Sequence, residues 1–234
     1  FSEAEIRRAL EAHGAVFEPL DEVAMLERVA ALLADGAIVG WFQGRMEFGP
    51  RALGSRSILG DARLASMQSD INQKVKFRES FRPFAPAVLE ERAGDYFDLA
   101  ADSPYMLLVA DVAEGQRLAK PADEPPGFER LKHPRSTIPA VTHVDGSARV
   151  QTVGRERHPL FWRLLKQFEQ RTGCGVLLNT SFNVRGEPVV CTPDDAYRCF
   201  VNTAIDWLAI GPFLLSRERQ PVEKPQPTFD PVPD

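Results

Sequence analysis

The chain has 234 residues, of which 44% are hydrophobic, and its formal net charge is −5. This length and apolar content suffice for one large globular core. The negative charge disfavours generic nucleic-acid binding through bulk electrostatics. No signal peptide, long apolar run or CxxC pair is visible among the residues, which predicts a cytoplasmic protein with no membrane association.

Two helices are predicted in residues 1–36, which we interpret as a helical lead-in. The sequence Ser2-Glu-Ala-Glu5 has the spacing of a capping box at the start of the first helix, and Asp21 is a good N-cap for the second. The apolar run 37–42 then predicts a buried strand. A strand that follows a helix in this way favours a layered α/β domain, which we place at residues 37–217.

A loop rich in glycine and arginine follows this strand. Glycine lets a backbone turn tightly and approach a ligand, and arginine supplies planar charged forks that suit phosphate and carboxylate. The loop contains Gly44, Gly49, Gly54, Arg45, Arg51 and Arg56. Residues 41–82 carry a net charge of +4 within an acidic chain. These features favour a local anion site over the alternative, a surface loop with solvated arginines.

A second basic stretch follows a helix predicted at 61–72. If the chain is extended after this helix, Lys76 and Arg78 point to the same side, because strand side chains alternate. Arg82 lies four residues further on, before a proline. A basic surface strand is an equally good interpretation of this stretch taken alone, but a neighbouring arginine loop favours an anion site.

The middle of the chain predicts a buried strand at 104–112, a long and mobile loop or lid at 113–135, and a hairpin at 141–153 with its turn at Asp145-Gly146. Arg149 lies in the middle of the second arm of this hairpin. An arginine in that position suggests a cleft rather than bulk solvent. His143 is as well explained by a structural hydrogen bond as by a contact with substrate.

The last part of the chain predicts a helix, a short buried strand, a second helix and two closing strands. The buried strand at 175–179 leads to Ser181 and Asn183, which face the same side if the chain stays extended. Their short polar groups can hold phosphate or ribose oxygens, although both residues are also common in turns. Residues 218–234 form a proline-rich tail that we expect to be extended or disordered.

Several sequence motifs of known chemistries are absent: a Walker loop, a dinucleotide fingerprint, metal-ligand spacing and a GxSxG elbow. What remains is a set of separated anion-binding pieces. Fixed positive charges stabilise phosphoryl and acyl-phosphate transition states without a side-chain nucleophile. The residues alone therefore indicate an enzyme that acts on phosphate-containing substrates and forms no covalent intermediate.

A family resemblance refines this interpretation. The segment 40–59, GWFQGRMEFGPRALGSRSIL, resembles the signature of the O-carbamoyltransferases that modify nodulation factors and antibiotics such as tobramycin and cephamycins. Segments 72–86, 145–153 and 178–188 resemble further stretches of that family in the same order. The resemblance covers about residues 2–217.

The resemblance implies a YrdC-like C-terminal domain, with an open twisted mixed sheet and flanking helices, that makes carbamoyl adenylate from ATP and carbamoyl phosphate. The YrdC-like pattern K-x-R followed by S-x-N matches this sequence at two places. Carried over by position, the residues that would hold ATP and carbamoyl phosphate are Arg51, Lys76, Arg78, Arg82, His143, Arg149, Ser181 and Asn183. Arg51, Lys76, Arg82 and Arg149 would be the catalytic ones.

The resemblance also implies partners. Mg²⁺ would support ATP, and no metal ligand is predicted in this chain. The family's N-terminal ASKHA-type domain, which carries a metal and transfers the carbamoyl group to a hydroxyl, does not match any part of the sequence. We therefore expect a fragment that forms the adenylate without completing the transfer.

Two other functions stay open at this point. YrdC-like basic concavities have been interpreted as RNA-binding surfaces, although the net charge of −5 argues against one here. Threonylcarbamoyl-adenylate synthesis is a related chemistry, but the signature at 40–59 favours carbamoyl transfer.

Overall fold

A mixed sheet organises residues 1–119 and 133–221, the parts of the chain that the computed structural model describes. Its nine strands are β1 Glu18–Pro19, β2 Val39–Phe42, β3 Arg56–Asp61, β4 Ala85–Leu89, β5 Leu108–Asp111, β6 Ser147–Val153, β7 Val176–Ser181, β8 Trp207–Ile210 and β9 Phe213–Ser216. Their spatial order is β1-β9-β8-β2-β3-β7-β4-β6-β5. The pairs β2/β8 and β4/β6 are parallel and the others antiparallel. The predicted open mixed α/β sheet is confirmed.

Six α-helices accompany the described strands. They are α1 Glu3–Ala12, α2 Glu22–Ala34, α3 Met67–Lys74, α4 Ala93–Tyr96, α5 Pro159–Thr172 and α6 Pro193–Val201. The predicted capping box is confirmed, because the Glu5 carboxylate accepts a hydrogen bond from the Ser2 amide at 2.6 Å and the Ser2 hydroxyl accepts one from the Glu5 amide. Among the described residues, no helix has the length and apolar character needed to cross a membrane.

The first 36 residues pack on the same core as the sheet. Ile6 and Leu10 of α1 are buried in one cluster with the apolar residues of the strands, and β1 pairs with β9. The domain division at residue 36 stays a prediction. Most of the predicted tail, residues 222–234, and most of the predicted lid, residues 120–132, lie outside the described residues.

The predicted hairpin at 141–153 is wrong. The only arm that forms a strand is β6, and its antiparallel partner is β5 rather than residues 141–144. Before β6 the chain makes a short 3-10 turn at Pro139–Val141, and the His143 amide donates to the Ser147 carbonyl at 2.8 Å. The prediction missed this because the Asp-Gly signal describes the turn itself and contains no information about which strand will pair with β6.

Two further expectations are corrected by the structure. The strand predicted as buried, β5, lies at the sheet edge, where Leu108 and Val109 are exposed. The stretch after α3 is not extended: the Lys76 amide bonds back to the Ile71 carbonyl, and Phe77 has a positive φ of 48°. The side chains of this stretch are therefore oriented by packing at the end of α3 and not by the alternation of a β-strand.

Candidate anion-binding site

A cavity of about 180 Å³ collects cationic residues from three distant segments of the chain. Arg51 comes from the loop between β2 and β3, Arg78 from the segment after α3, and Arg149 from β6. Ser181 at the end of β7 completes the polar wall. Burial lowers the pKa of Arg149, and the positive charge of Arg51 lowers it further. The two guanidinium groups therefore repel each other. We call this space the anion-binding cavity.

The register of the sheet explains why these side chains meet. Ala85 and Ala87 of β4 lie opposite Asn179 of β7 and Gln151 of β6, respectively. Paired residues share a face of the sheet, and Arg149 and Ser181 lie two residues from these positions on the same face. The small side chain of Ala85 leaves room above the sheet, and this residue lines the cavity.

Glu47 ties down one side of the glycine- and arginine-rich loop. Its Oε1 accepts hydrogen bonds from three backbone amides, those of Leu53 at 2.7 Å, Ser55 at 2.8 Å and Arg56 at 3.4 Å. These amides point inward to one carboxylate, which is a strong anchor for a turn. The loop is therefore held in one shape before any ligand binds.

Arg56 ties down the other side of the loop. Its guanidinium is 1% exposed and donates to the carbonyls of Gln43, Gly44 and Ser55 at 3.0–3.2 Å. It also lies 3.4 Å from the centre of the Phe42 ring. Burial lowers the pKa of Arg56. The structure thus makes Arg56 a brace of the loop, whereas Arg45 is exposed.

Side chains from the core bind three further loop carbonyls. The Asn179 amide donates to the Ala52 carbonyl at 3.1 Å, and the Gln151 amide donates to the Leu53 carbonyl at 2.8 Å. The Trp41 indole donates to the Gly54 carbonyl at 2.9 Å. The loop around Arg51 is consequently preorganised, as a site for developing charge requires.

Sequence reasoning did not identify Gln151, Asn179 and Trp41 as bracing residues. It left open that Arg45 or Arg56 braces the loop through Glu47 or backbone carbonyls, and the structure gives this role to Arg56 through backbone carbonyls. A usable signal was present at Asn179, which is a polar residue at the end of an otherwise apolar buried run. Gln151 carries no comparable signal, because its contacts with Leu53 and Asn179 join segments distant in sequence.

Lys76 lies beside the cavity but does not line it. It is 3% exposed, and its Nζ lies 2.5 Å from the Ser181 carbonyl oxygen, 3.2 Å from Ser181 Oγ, 2.9 Å from the Asn183 carbonyl oxygen and 2.7 Å from Asn183 Oδ1. Burial, and then the charge of Arg78, lower the pKa of Lys76 to about 7. The four oxygen neighbours favour the ammonium form, so this lysine binds the turn after β7 in the arrangement seen here.

Arg78 and Arg82 have different positions. The Arg78 Nε donates to Asn72 Oδ1 at 2.7 Å, its guanidinium lies 5.1 Å from the centre of the Phe84 ring, and it reaches the cavity wall. Burial, followed by the charge of Arg82, lowers the pKa of Arg78. Arg82 forms an ion pair with Glu79 at 3.0 Å and lies outside the residues that line the cavity.

His143 is a predicted site residue that does not line the anion-binding cavity. It lines a separate, larger cavity and its Nδ1 lies 3.2 Å from Ser147 Oγ. Burial lowers the pKa of His143, which favours the neutral imidazole. The structure thus groups Arg51, Arg78, Arg149 and Ser181 at one cavity, with Lys76 and Asn183 attached through Ser181. It leaves Arg82 and His143 outside that lining, and the substrate contacts of all eight residues stay predictions.

In the part of the chain that the structure describes, no group of three or more His, Cys, Asp or Glu side chains is arranged to hold a metal ion. Cys174, Cys191 and Cys199 are free thiols.

The fold and site define a domain that presents fixed cations on the face of a mixed sheet, and the comparisons with known proteins identify its family. The family model described as "Carbamoyltransferase C-terminus" matches residues 30–217. The chain therefore belongs to the carbamoyltransferase family and corresponds to its C-terminal region, as predicted.

Individual relatives agree with this assignment. Nodulation protein NolNO of Sinorhizobium fredii is 44% identical over 203 residues, covering 86% of this chain and 27% of the relative. The 3'-hydroxymethylcephem-O-carbamoyltransferase of Streptomyces clavuligerus is 40% identical over 180 residues, covering 77% of this chain and 30% of the relative. The chain thus spans less than a third of the length of either protein.

A solved structure shares the fold. The crystal structure of full-length HypF in the phosphate- and nucleotide-bound form superimposes with a TM-score of 0.52 and 18% sequence identity. The match covers 80% of this chain and 25% of HypF. At this identity the likeness shows a common fold.

Proposed function

We propose that this chain binds ATP and carbamoyl phosphate at the anion-binding cavity and forms carbamoyl adenylate. The observation that carries the proposal is the convergence of Arg51, Arg78 and Arg149 on one small cavity. Burial and a neighbouring charge lower the pKa of Arg149, and burial and Arg82 lower that of Arg78. Phosphate oxygens supply the negative charge that this arrangement of cations favours.

The family to which the chain belongs is the reason for choosing carbamoyl phosphate as the proposed acyl phosphate. In the proposed reaction, carbamoyl phosphate and water give carbamate and phosphate. An oxygen of carbamate then attacks the α-phosphorus of ATP, and pyrophosphate leaves. The arginines stabilise negative charge in both steps, so no side-chain nucleophile is required. In this proposal Mg²⁺ arrives with ATP and is coordinated by its phosphates.

The transfer of the carbamoyl group to a hydroxyl is assigned to another region. This chain spans 27% of the nodulation relative and 30% of the cephem relative, so each relative has a large additional region. We place the transfer step on an N-terminal ASKHA-type domain in such a region. The present chain is then expected to form the adenylate without carbamoylating an acceptor.

The test is exchange of labelled pyrophosphate into ATP with and without carbamoyl phosphate. We expect exchange that depends on carbamoyl phosphate. Arg51→Ala should lower it by about 100-fold, the usual effect of removing one fixed group that stabilises developing charge. Arg45→Ala is the matched control, because Arg45 is an exposed arginine of the same loop that does not line the cavity.

Two outcomes would contradict the proposal. Exchange that proceeds equally without carbamoyl phosphate would show that this acyl donor is not the substrate. Exchange that is unchanged in Arg51→Ala would remove the loop from the chemistry. Replacing carbamoyl phosphate by bicarbonate and threonine tests the related threonylcarbamoyl-adenylate synthesis in the same assay.

A further inference from the structure

The side chain of Asn179 contains a buried oxygen, Oδ1, that receives no hydrogen bond from the described residues. Asn179 lies on β7, is 1% exposed and lines the anion-binding cavity. Buried polar atoms of folded proteins are almost always hydrogen-bonded, so this oxygen requires a partner that either water or a ligand supplies. The other such atom, Arg56 Nε, belongs to the loop brace.

The orientation of this amide is fixed by its neighbours. The Leu53 carbonyl is only an acceptor, so the Gln151 NH₂ must face it and Gln151 Oε1 must face Asn179. The Asn179 NH₂ then donates to Gln151 Oε1 at 2.7 Å and to the Ala52 carbonyl at 3.1 Å. Reversing either amide would place two hydrogen-bond acceptors opposite each other. Both hydrogens of the Asn179 amide are therefore used, and Oδ1 is left as an acceptor.

The rest of the cavity wall is rich in donors. Arg51, Arg78 and Arg149 can only donate hydrogen bonds, and the Ser181 hydroxyl already donates to Asn183 Oδ1 at 2.6 Å. Phosphate oxygens match the arginines but cannot match Asn179 Oδ1. An N–H donor on the ligand can.

We infer that Asn179 Oδ1 accepts a hydrogen bond from the NH₂ of the carbamoyl group and so selects carbamoyl phosphate over other acyl phosphates. This inference rests on the proposed function and adds a residue that determines acyl specificity. The terminal NH₂ of a carbamoyl group is an N–H donor of the kind that this acceptor lacks. Acetyl phosphate has a methyl group at that position and would leave the oxygen without a partner.

The test compares dissociation constants of carbamoyl phosphate and acetyl phosphate, measured by calorimetric titration of the whole chain. We expect the wild-type protein to prefer carbamoyl phosphate by about tenfold or more. Asn179→Leu, which removes the acceptor at similar volume, should reduce this ratio to about one.

Gln151→Leu is the matched control. It removes the neighbour that accepts from Asn179 and donates to Leu53, but the Ala52 carbonyl still accepts from the Asn179 NH₂ and so keeps the amide in its orientation. We expect it to weaken both ligands by a similar factor and to leave their ratio unchanged. Circular dichroism and thermal unfolding confirm that each variant is folded before its ratio is interpreted.

The outcomes separate the inference from the proposed function. If the wild-type protein binds both acyl phosphates equally, Oδ1 is satisfied by water and the inference is wrong, while the proposed phosphate site stands. An unchanged ratio in Asn179→Leu, or an equal loss of preference in Gln151→Leu, also overturns it. If the wild-type protein binds neither ligand, the proposed function itself fails.

Discussion

Lys76 Nζ lies 2.7 Å from Asn183 Oδ1 and joins the end of α3 to the turn after β7. The two residues belong to the K-x-R and S-x-N segments, which are separated by more than 100 positions in sequence. The ammonium also contacts both the carbonyl and the hydroxyl of Ser181. Lys76 thus positions a residue of the cavity wall, in addition to any direct role in binding substrate.

The buried lysine predicts a specific dependence of stability on pH. Burial and Arg78 lower the pKa of Lys76 from 10.5 to about 7 in the folded chain. Between these values the unfolded chain binds more protons than the folded one, so this group makes the free energy of unfolding rise with pH. The contribution is lost as the pH falls through 7. We expect Lys76→Met to remove this rise between pH 7 and 10, as measured by urea unfolding.

The control for this experiment is Lys74→Met, which removes an exposed lysine of α3 that pairs with Asp70. It should keep the wild-type pH profile, because it leaves the turn after β7 untouched. Identical profiles for wild type and Lys76→Met would show that the pKa of Lys76 is not lowered in the folded chain.

Removing the loop brace should destabilise the whole fold. Arg56→Met leaves the buried carbonyls of Gln43, Gly44 and Ser55 without their donors and removes the contact with Phe42. We expect a loss of about 2–4 kcal/mol in the free energy of unfolding.

Arg56→Lys should restore little of this stability, because an ammonium cannot reproduce the planar fork that reaches three carbonyls. Denaturant unfolding at equilibrium measures each loss. Arg45→Ala serves as the control and should change stability by less than about 0.5 kcal/mol, as is usual for exposed positions. Full rescue by lysine would mean that charge alone, rather than geometry, holds the loop.

Two glycines of the same loop should respond differently to alanine. Gly54 has φ +109° and a Cβ there would overlap the ring of Phe161, whereas Gly44 has φ +57° with open space around it. Gly54→Ala should cost more than about 3 kcal/mol from strain and overpacking combined. Gly44→Ala should cost about 1 kcal/mol from backbone strain alone. Thermal and urea unfolding of the pair test this, and equal costs would contradict the close packing at Gly54.

Arg149 should affect ligand binding more than folding. Its burial and its proximity to Arg51 oppose the charged form in the absence of an anion. We therefore expect Arg149→Met to keep or raise the melting temperature without ligand. Pyrophosphate should raise the melting temperature of the wild-type protein by mass action and have much less effect on the variant.

The exposed Arg157 provides the control, since Arg157→Met removes the same charge away from the cavity. It should leave the shift caused by pyrophosphate unchanged. A wild-type shift retained in Arg149→Met would exclude this arginine from the anion site.

Local features of the fold could be predicted because they depend on neighbouring residues. The capping box at Ser2, the strand that ends at Phe42 and the helix from Pro159 follow from short-range patterns of caps and apolar spacing. Strand pairing did not follow from such patterns. The partner of β6 is β5, and the Asp145-Gly146 turn signal pointed to a different pairing.

The sequence by itself determined the family, the class of fold and the residue types of an anion site, because long ungapped motifs and local periodicity are written in contiguous residues. Only the tertiary structure decided which cations converge. It placed Arg51, Arg78 and Arg149 at one cavity, buried Arg56 under the loop and set Asn179 in the cavity wall. These roles arise from which nonconsecutive strands pair, and that pairing is decided by long-range packing rather than by the pattern within one strand.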